Sequence, residues 1–335
     1  MGPTGASRIL QIHPTLRCNL RCLHCYSSSG PDERTELPVG LLGRAVAAAR
    51  AEGYTVVSVS GGEPLMYRPL AELLDRAHEY GALTTVTTNG MLLTKRHLAE
   101  LAGRLDLLAI SLDGPPESHN RMRASDHAFA QMESRLGGLR ASGIPFGFIF
   151  TLTQRNVHEL DWVARFAVEQ GARLLQIHPL EEVGRARRLL AGDRPDELES
   201  AYAFLEAARL RELYAGSLTV QLDLVHGGLL RGAPERAYAD DVDPDAPLAE
   251  LVSPLVIEAS GAVVPLEFGF ARAFALGNLR EAPLSELAAR WRSERLPAFA
   301  RVCRTAFDDI TAPAELPFAN WYEVVADQAE RLLPA

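Results

Sequence analysis

Cysteine is scarce in this 335-residue chain, with four copies. A disulfide framework therefore cannot be what holds the fold together, and the chain is long enough to bury a full apolar core without one. Positive charge is also short. Lysine and arginine number 34 against 43 acidic residues, a formal net charge of −9, which argues against a nucleic-acid or anionic-membrane partner. No uncharged apolar run reaches the roughly 18 residues that a membrane-spanning helix needs. Met1-Gly2-Pro3-Thr4-Gly5-Ala6-Ser7 has no apolar signal core. With so few cysteines, a reducing, cytoplasmic setting is the expectation. A glycine-rich dinucleotide-binding loop is missing too, which argues against a Rossmann-type methyltransferase. What remains is the composition of a globular protein, 47% apolar and 23% charged.

The cysteines that exist are not spread evenly. Cys18, Cys22 and Cys25 fall within eight positions, spaced C-x3-C-x2-C and followed by Tyr26. Thiolates are soft ligands that select zinc, copper(I) or iron–sulfur clusters. Three on one short loop can hold three corners of a cubane cluster and leave one iron open. Such a cluster suits chemistry better than plain electron carrying, for which four cysteines are usual. Zinc held by the three thiolates with His24 or Cys303 is the alternative, although structural zinc sites favour two ligand pairs. Disulfides among cysteines this close would be strained.

Short apolar strands alternate with amphipathic helices through the first half of the chain. Strands are expected over residues 8–14, 54–60, 82–88, 106–112, 145–151 and 173–178. Helices are expected over 37–52, 70–80, 95–103, 117–142 and 156–170. Six such units predict an α/β fold with a parallel sheet and helices outside it. Ligands in such folds bind beyond the carboxyl ends of the strands, and that is where the polar motifs gather. The cysteine loop follows the first strand. Gly61-Gly62-Glu63 follows the second, its glycines admitting a close backbone approach. Thr88-Asn89 closes the third, and Ser111 and Asp113 close the fourth; hydroxyls and a carboxylate there can hydrogen-bond a ribose, while each alone suits a turn or cap equally well. Gln176, His178, Glu181, Glu182 and Arg185 cluster after the sixth, Gln176 and His178 sharing one face. Arg185, Arg187, Arg188 and Arg194 form a basic run, read as a solvated face or as an anion-binding lid.

Taken in order, Cys18–Cys25, Ser60-Gly61-Gly62-Glu63-Pro64, Thr87-Thr88-Asn89-Gly90 and Ser111-Leu112-Asp113-Gly114 resemble the signature motifs of the radical S-adenosylmethionine (SAM) superfamily. The resemblance covers about residues 8–190 and implies a partial (βα)6, TIM-like barrel. It implies one [4Fe–4S] cluster on Cys18, Cys22 and Cys25, with SAM on the open iron. Tyr26, Gly61, Gly62, Glu63, Thr88, Asn89, Ser111, Asp113, Gln176 and Arg185 are the SAM contacts it suggests, Glu63 beside the amino group and Thr88, Ser111 and Asp113 towards the ribose or carboxylate. One electron from a reducing flavodoxin or ferredoxin-type donor would then cleave SAM to a 5′-deoxyadenosyl radical, which removes hydrogen from an unactivated C–H bond.

Further along, a helix is expected over 196–214 and a strand over 218–224, and the Asp- and Pro-rich stretch within residues 233–252 reads as a linker. It separates a first domain, 1–232, from a second, 253–335. A hairpin over 255–266 and a helix over 283–292 resemble the small α+β SPASM/twitch extension of peptide- and natural-product-modifying radical SAM enzymes. In those relatives cysteines near the hairpin and near Cys303 hold auxiliary clusters. Here the hairpin carries Leu266, and Cys303 stands alone, so a degenerate extension without auxiliary iron is expected. Redox-neutral chemistry on a small natural-product intermediate follows as the first expectation, that is, decarboxylation, rearrangement or epimerisation of a sugar, nucleoside or amino-acid derivative. Maturation of a ribosomal peptide is the alternative, and a non-catalytic iron–sulfur accessory protein a third. Candidate substrate contacts are His178, Glu181, Asp223, His226 and Glu267. Cys303 is read either as a buried small hydrophobe or as a hydrogen donor to a product radical.

Overall fold

The computed structural model describes residues 8–234, 243, 245–315 and 317–332. Nine of the twenty residues of the expected linker, 235–242 and 244, lie outside the described residues. Seven parallel strands form the centre: β1 (Ile9–Ile12), β2 (Val56–Val59), β3 (Leu83–Thr88), β4 (Leu107–Ser111), β5 (Phe146–Leu152), β6 (Leu174–Pro179) and β7 (Thr219–Leu222). They lie side by side in chain order. The helices between them are α1 (Val39–Ala51), α2 (Leu70–Glu79), α3 (Lys95–Leu101), α4 (Pro116–Arg123), α5 (Ala128–Ser142), α6 (Leu160–Glu169), α7 (Ala186–Leu189) and α8 (Glu197–Leu213).

Local sequence accounts for most of these boundaries. Thr94 caps α3, and Asp196 with Glu199 makes a capping box at the start of α8. The helical stretch expected as one piece over 117–142 is two helices, because Ala124 takes a left-handed conformation (φ 49°) and ends α4.

The two faces of the sheet differ. Leu10, Ile12, Val57, Val59, Val86, Leu108, Ile110, Phe148, Phe150, Leu175 and Ile177 are essentially inaccessible. They belong to one large apolar cluster with residues of the flanking helices, each contributing about 1.5–3 kcal/mol of burial. The alternate residues Gln11, Ser58, Thr85, Thr87, Ile149, Thr151, Gln176 and His178 stay partly accessible. The register sets them in adjoining rows, Gln11 by Ser58, Ser58 by Thr85 and Thr151 by His178. A parallel sheet normally buries both faces; this one keeps a small, polar, wetted face that forms the wall of a cleft.

The C-terminal third continues the sheet. β9 (Leu255–Ile257) pairs parallel with β1, and β10 (Ala262–Pro265) and β11 (Gly277–Asn278) extend it antiparallel. The expected boundary near residue 252 thus does not interrupt the sheet. Before these strands come the pair-forming β8 (Val225–His226), α9 (Gly227–Gly232) and α10 (Leu248–Leu251). α11 (Leu284–Glu294), α12 (Leu296–Thr311), β12 (Phe318–Ala319), which pairs with β8, and α13 (Trp321–Arg331) complete the chain. The hydroxyl of buried Tyr54 donates to the Val252 carbonyl at 2.7 Å, and Arg292 pairs with Glu52, tying the two halves together behind α1. Tyr54→Phe leaves that carbonyl without its buried donor. The expected loss is about 1–2 kcal/mol of unfolding free energy, read as a lower denaturant midpoint at unchanged slope.

Candidate active site at the carboxyl ends of the parallel strands

The cysteine loop leaves β1 and folds over the rim of the sheet. Cys18, Leu20 and Cys22 are buried in an apolar cluster of their own, with Cys25 and Met91 packed on it. All four cysteines are free thiols, and Cys303 lies instead in the main core. Burial, with the carboxylate of Glu63 nearby, pushes the Cys18 thiol up to about 12, and burial also raises that of Cys22. Among the described residues no His, Cys, Asp or Glu triplet converges as one metal ion would require. A cubane needs its thiolates at separate corners, and a soft three-thiol set in a dry pocket fits that group.

Backbone and side-chain contacts from the neighbouring strand ends hold the loop. Gly62 donates to the Thr15 carbonyl and Glu63 to that of Arg17, both at 2.8 Å. A Cβ on Gly62 would overlap the Arg17 carbonyl, and one on Gly184 would overlap that of Tyr26. The paired glycines thus admit the loop's own backbone. Arg185 donates through Nε to the Cys22 carbonyl (2.8 Å) and through Nη1 to that of Ser29 (2.7 Å). Arg123, at the end of α4, points Nη1 at Cys22 Sγ (3.8 Å) and gives Nε to Asp113 Oδ2 (2.6 Å). Burial opposes ionisation of Asp113, but the Arg123 charge and hydrogen bond together with His24 and His119 outweigh it and hold the carboxyl below its usual range.

Several expected SAM contacts are tied into the protein. Glu63 is 1% exposed. Its carboxylate accepts from Leu65 N (3.1 Å), Thr88 Oγ1 (2.8 Å) and Asn89 N (3.0 Å), while burial raises its pKa. Thr88 registers opposite Ile110, in the helix-facing row; its neighbour Thr87 faces the cleft. Asn89 donates to Asn19 in the cysteine loop at 2.8 Å. Ser111 lies on the cleft side, opposite Ile149. Asp113 is fully buried, its Oδ1 without a partner. Tyr26 shares a 3.1 Å hydrogen bond with Ser60, and its ring abuts those of His13 and Phe268. Arg123, Thr87 and Phe268 were not singled out from the sequence. Alternation along β3 could have exposed Thr87, but nothing local marks the other two.

A second polar group occupies the far end of the rim. His178 Nδ1 lies 3.0 Å from Asp223 and its Nε2 lies 3.2 Å from Glu181. Burial disfavours the imidazolium, but the two carboxylates offset this and hold its pKa well above the ordinary value. Gln176 also donates to Asp223, at 2.7 Å. From α13, Glu323 enters the group, paired with Arg194 at 3.1 Å. His226 does not join them. It caps α9, accepting from Gly228 N at 3.0 Å, and packs edge-on to Phe318.

Residues 12–167 match the family model of the radical SAM superfamily. The chain is 28% identical over 292 residues to the Fe-coproporphyrin III synthase of Methanosarcina barkeri, covering 82% of this chain and 71% of that protein. Over residues 12–167, with the cysteine loop and rim motifs in place, the chain is similar to the radical SAM superfamily. It is also 28% identical over 209 residues to the PqqA peptide cyclase of Methylocella silvestris, covering 62% of this chain and 56% of the cyclase. Its fold matches Streptococcus suis SuiB bound to S-adenosylmethionine at a TM-score of 0.68 and 17% identity, over 91% of this chain and 67% of that one. Radical SAM relatives of this kind are enzymes, and the family implies a [4Fe–4S] cluster and SAM.

Two outcomes follow for this site. Gly62→Ala forces the GGE turn off the cysteine-loop entry at a cost of about 2–3 kcal/mol, in the range for overpacked sites; thermal melting and the iron retained after reconstitution should both fall. Burial raises Glu323 to about 7, Arg194 opposing and Glu181 adding to the shift, from an ordinary value of 4.5. Its contribution to stability is therefore full below pH 4.5 and lost as the pH rises through about 7. Across that window the parent should lose roughly 3 kcal/mol relative to Glu323→Gln, measured by urea unfolding at several pH values.

Proposed function

We propose that this radical SAM enzyme holds one [4Fe–4S] cluster on Cys18, Cys22 and Cys25 and acts on a small natural-product intermediate with a redox-neutral outcome. The observation that carries the single-cluster reading is the separation of the cysteines. Three share a pocket on the rim, while Cys303 is 3% exposed within the main core. In this reading the sheet is a partial (βα)6 barrel, and strands β9 to β11 with their helices are a SPASM/twitch-like extension without auxiliary ligands. When bound, the cluster and SAM supply one-electron reductive cleavage and hydrogen-atom abstraction.

The chain's own residues position and shield. Arg123 places a guanidinium at the Cys22 sulfur, a donor that steadies negative charge there. Arg185 fixes the loop from behind through two carbonyls. The His13, Tyr26 and Phe268 rings keep water from the space beside the loop, which a reactive radical requires. Thr87, Ser111 and Gln176 offer hydroxyl and amide groups from the cleft wall. The electron enters from a flavodoxin or ferredoxin-type donor. With Cys303 in the core, its thiol pushed up to about 12 by burial, the small-hydrophobe role is the better supported one.

Peptide maturation is the second reading, favoured by the similarity to a peptide cyclase. Coproporphyrin chemistry is less suited, because a polycarboxylate would meet Glu181, Asp223, Glu267 and Glu323 in the cleft. Anaerobic reconstitution tests the proposal. About four irons per chain are expected, with 5′-deoxyadenosine formed on reduction and both lost in Cys18→Ala. Cys303→Ala should keep both at parental level and lose only about 1 kcal/mol of stability. A count near eight irons, or loss of turnover in Cys303→Ala, would defeat the single-cluster reading.

A further inference from the structure

The cleft wall carries one group that the cluster and SAM leave unused. Glu267, in the turn after β10, has Oε2 sealed from solvent with no hydrogen-bond partner. Its neighbours are the wrong sign. Glu181 and Glu323 are the carboxylates that press on it most, with His178 opposing and Asp327 adding further negative charge. Five carboxylates, Glu181, Asp223, Glu267, Glu323 and Asp327, thus face two cations. One of these, His178, is already held between Asp223 and Glu181, and the other, Arg194, is paired with Glu323. An unpaired buried carboxylate among carboxylates is costly unless something positive reaches it.

The site is open to a ligand. His178 keeps 34% of its side-chain surface accessible and Asp223 and Glu181 keep 15% each, although protein surrounds them. The backbone holds Glu267 in place: Leu266 is in a left-handed conformation (φ 64°), unusual for a bulky residue. Phe268 stacks on His13 at 5.1 Å and lies beside Tyr26. The turn that carries Glu267 is therefore anchored next to the cysteine loop, with the carboxylate within electrostatic reach of Glu181, Glu323 and His178.

We infer that Glu267, with Glu181 and the His178–Asp223 pair, forms a subsite that receives a protonated amine of the substrate. This rests on the radical SAM reading and narrows its substrate to a cation-bearing one. An ammonium supplies three donors and a full positive charge. It satisfies the orphan Oε2 and offsets the excess of negative charge. Burial and the neighbouring carboxylates raise the pKa of Glu267, and a bound cation opposes that shift, so binding is expected to release protons.

The amine could belong to a small cyclic amine or to a lysine side chain of a peptide, and two probe pairs separate these. Anaerobically reconstituted holoenzyme with SAM is titrated calorimetrically with 4-aminocyclohexanol against 1,4-cyclohexanediol, and with N-acetyl-lysine methylamide against N-acetyl-norleucine methylamide. In at least one pair the cation should bind tenfold or more tightly than its neutral partner, with proton release seen by changing the buffer. Whichever pair shows the larger preference names the source. Glu267→Gln should erase both the preference and the proton release. Equal binding of cation and neutral partner in both pairs overturns the subsite, as does an undiminished preference in Glu267→Gln. Should that variant fold poorly, the parent's discrimination between partners decides alone. Formation of 5′-deoxyadenosine by the parent without any probe is read in parallel. SAM cleavage without cation preference sinks the subsite only, whereas absence of cleavage sinks the reading beneath it.

Discussion

The close backbone contact between the GGE turn and the entry to the cysteine loop is the constraint on which the site depends. Two amide–carbonyl bonds of 2.8 Å join the end of β2 to the segment that delivers Cys18. They form only because position 62 has no side chain. From the opposite side, Gly184 meets the Tyr26 carbonyl and Arg185 grips the carbonyls of Cys22 and Ser29. Within the loop, Cys18 N donates to the Gly30 carbonyl and Gly30 N to that of Leu16, closing it on itself. It becomes a preorganised ligand set by borrowing rigidity from β2 below and from the segment after β6 above. Glu63 extends the same logic sideways, drawing Thr88 and Asn89 from the end of β3 onto the end of β2.

Much of this was readable from residues alone. Cysteine spacing, the order of the strand-end motifs and the alternation of strands with helices gave the parallel sheet and the rim. The side of the strand was harder. Thr87 and Thr88 are adjacent and identical, and a shift of one residue exchanges the cleft for the helix layer; only the pairing of Thr88 with Ile110 decides it. The polar residues at the strand ends also divide into two kinds that sequence does not separate. Glu63, Asn89 and Asp113 spend their hydrogen bonds on the scaffold, whereas Ser111, Gln176 and His178 line the cleft. Arg123 and Glu323 were invisible for a different reason. Arg123 reaches a cysteine 101 positions away, and Glu323 joins a group begun 145 residues earlier, at His178. No local pattern encodes such contacts.

The C-terminal third shows how sheet pairing binds a segment that composition sets apart. An acidic, proline-containing stretch reads as a linker between two domains. Beyond it β9 adds to β1 in register, and Tyr54 and Arg292 fasten the two sides behind it. The turn after β10 is thereby fixed relative to the cysteine loop through only two strands, β9 and β1. Motion of the C-terminal third as a body would have to break a parallel ladder at the centre of a ten-stranded sheet, which is among the most stable elements of any α/β core.

That fixed geometry makes the charge pattern of the cleft informative. At the end nearest the cysteines Arg123 and Arg185 are directed at the loop, and the carboxylates there, Glu63 and Asp113, are held by hydrogen bonds or an ion pair within the protein. At the far end five carboxylates outnumber two cations. Folding energy alone would not select such a gradient, since the orphan oxygen of Glu267 and the raised pKa of Glu323 both cost stability. Groups that weaken the fold yet stay partly wetted are the ones expected to meet a ligand. A cleft with soft thiols at one end and excess negative charge at the other orients a molecule whose positive group lies some distance from the carbon that reacts. Selectivity for position would then come from the separation of these two ends along one rigid sheet.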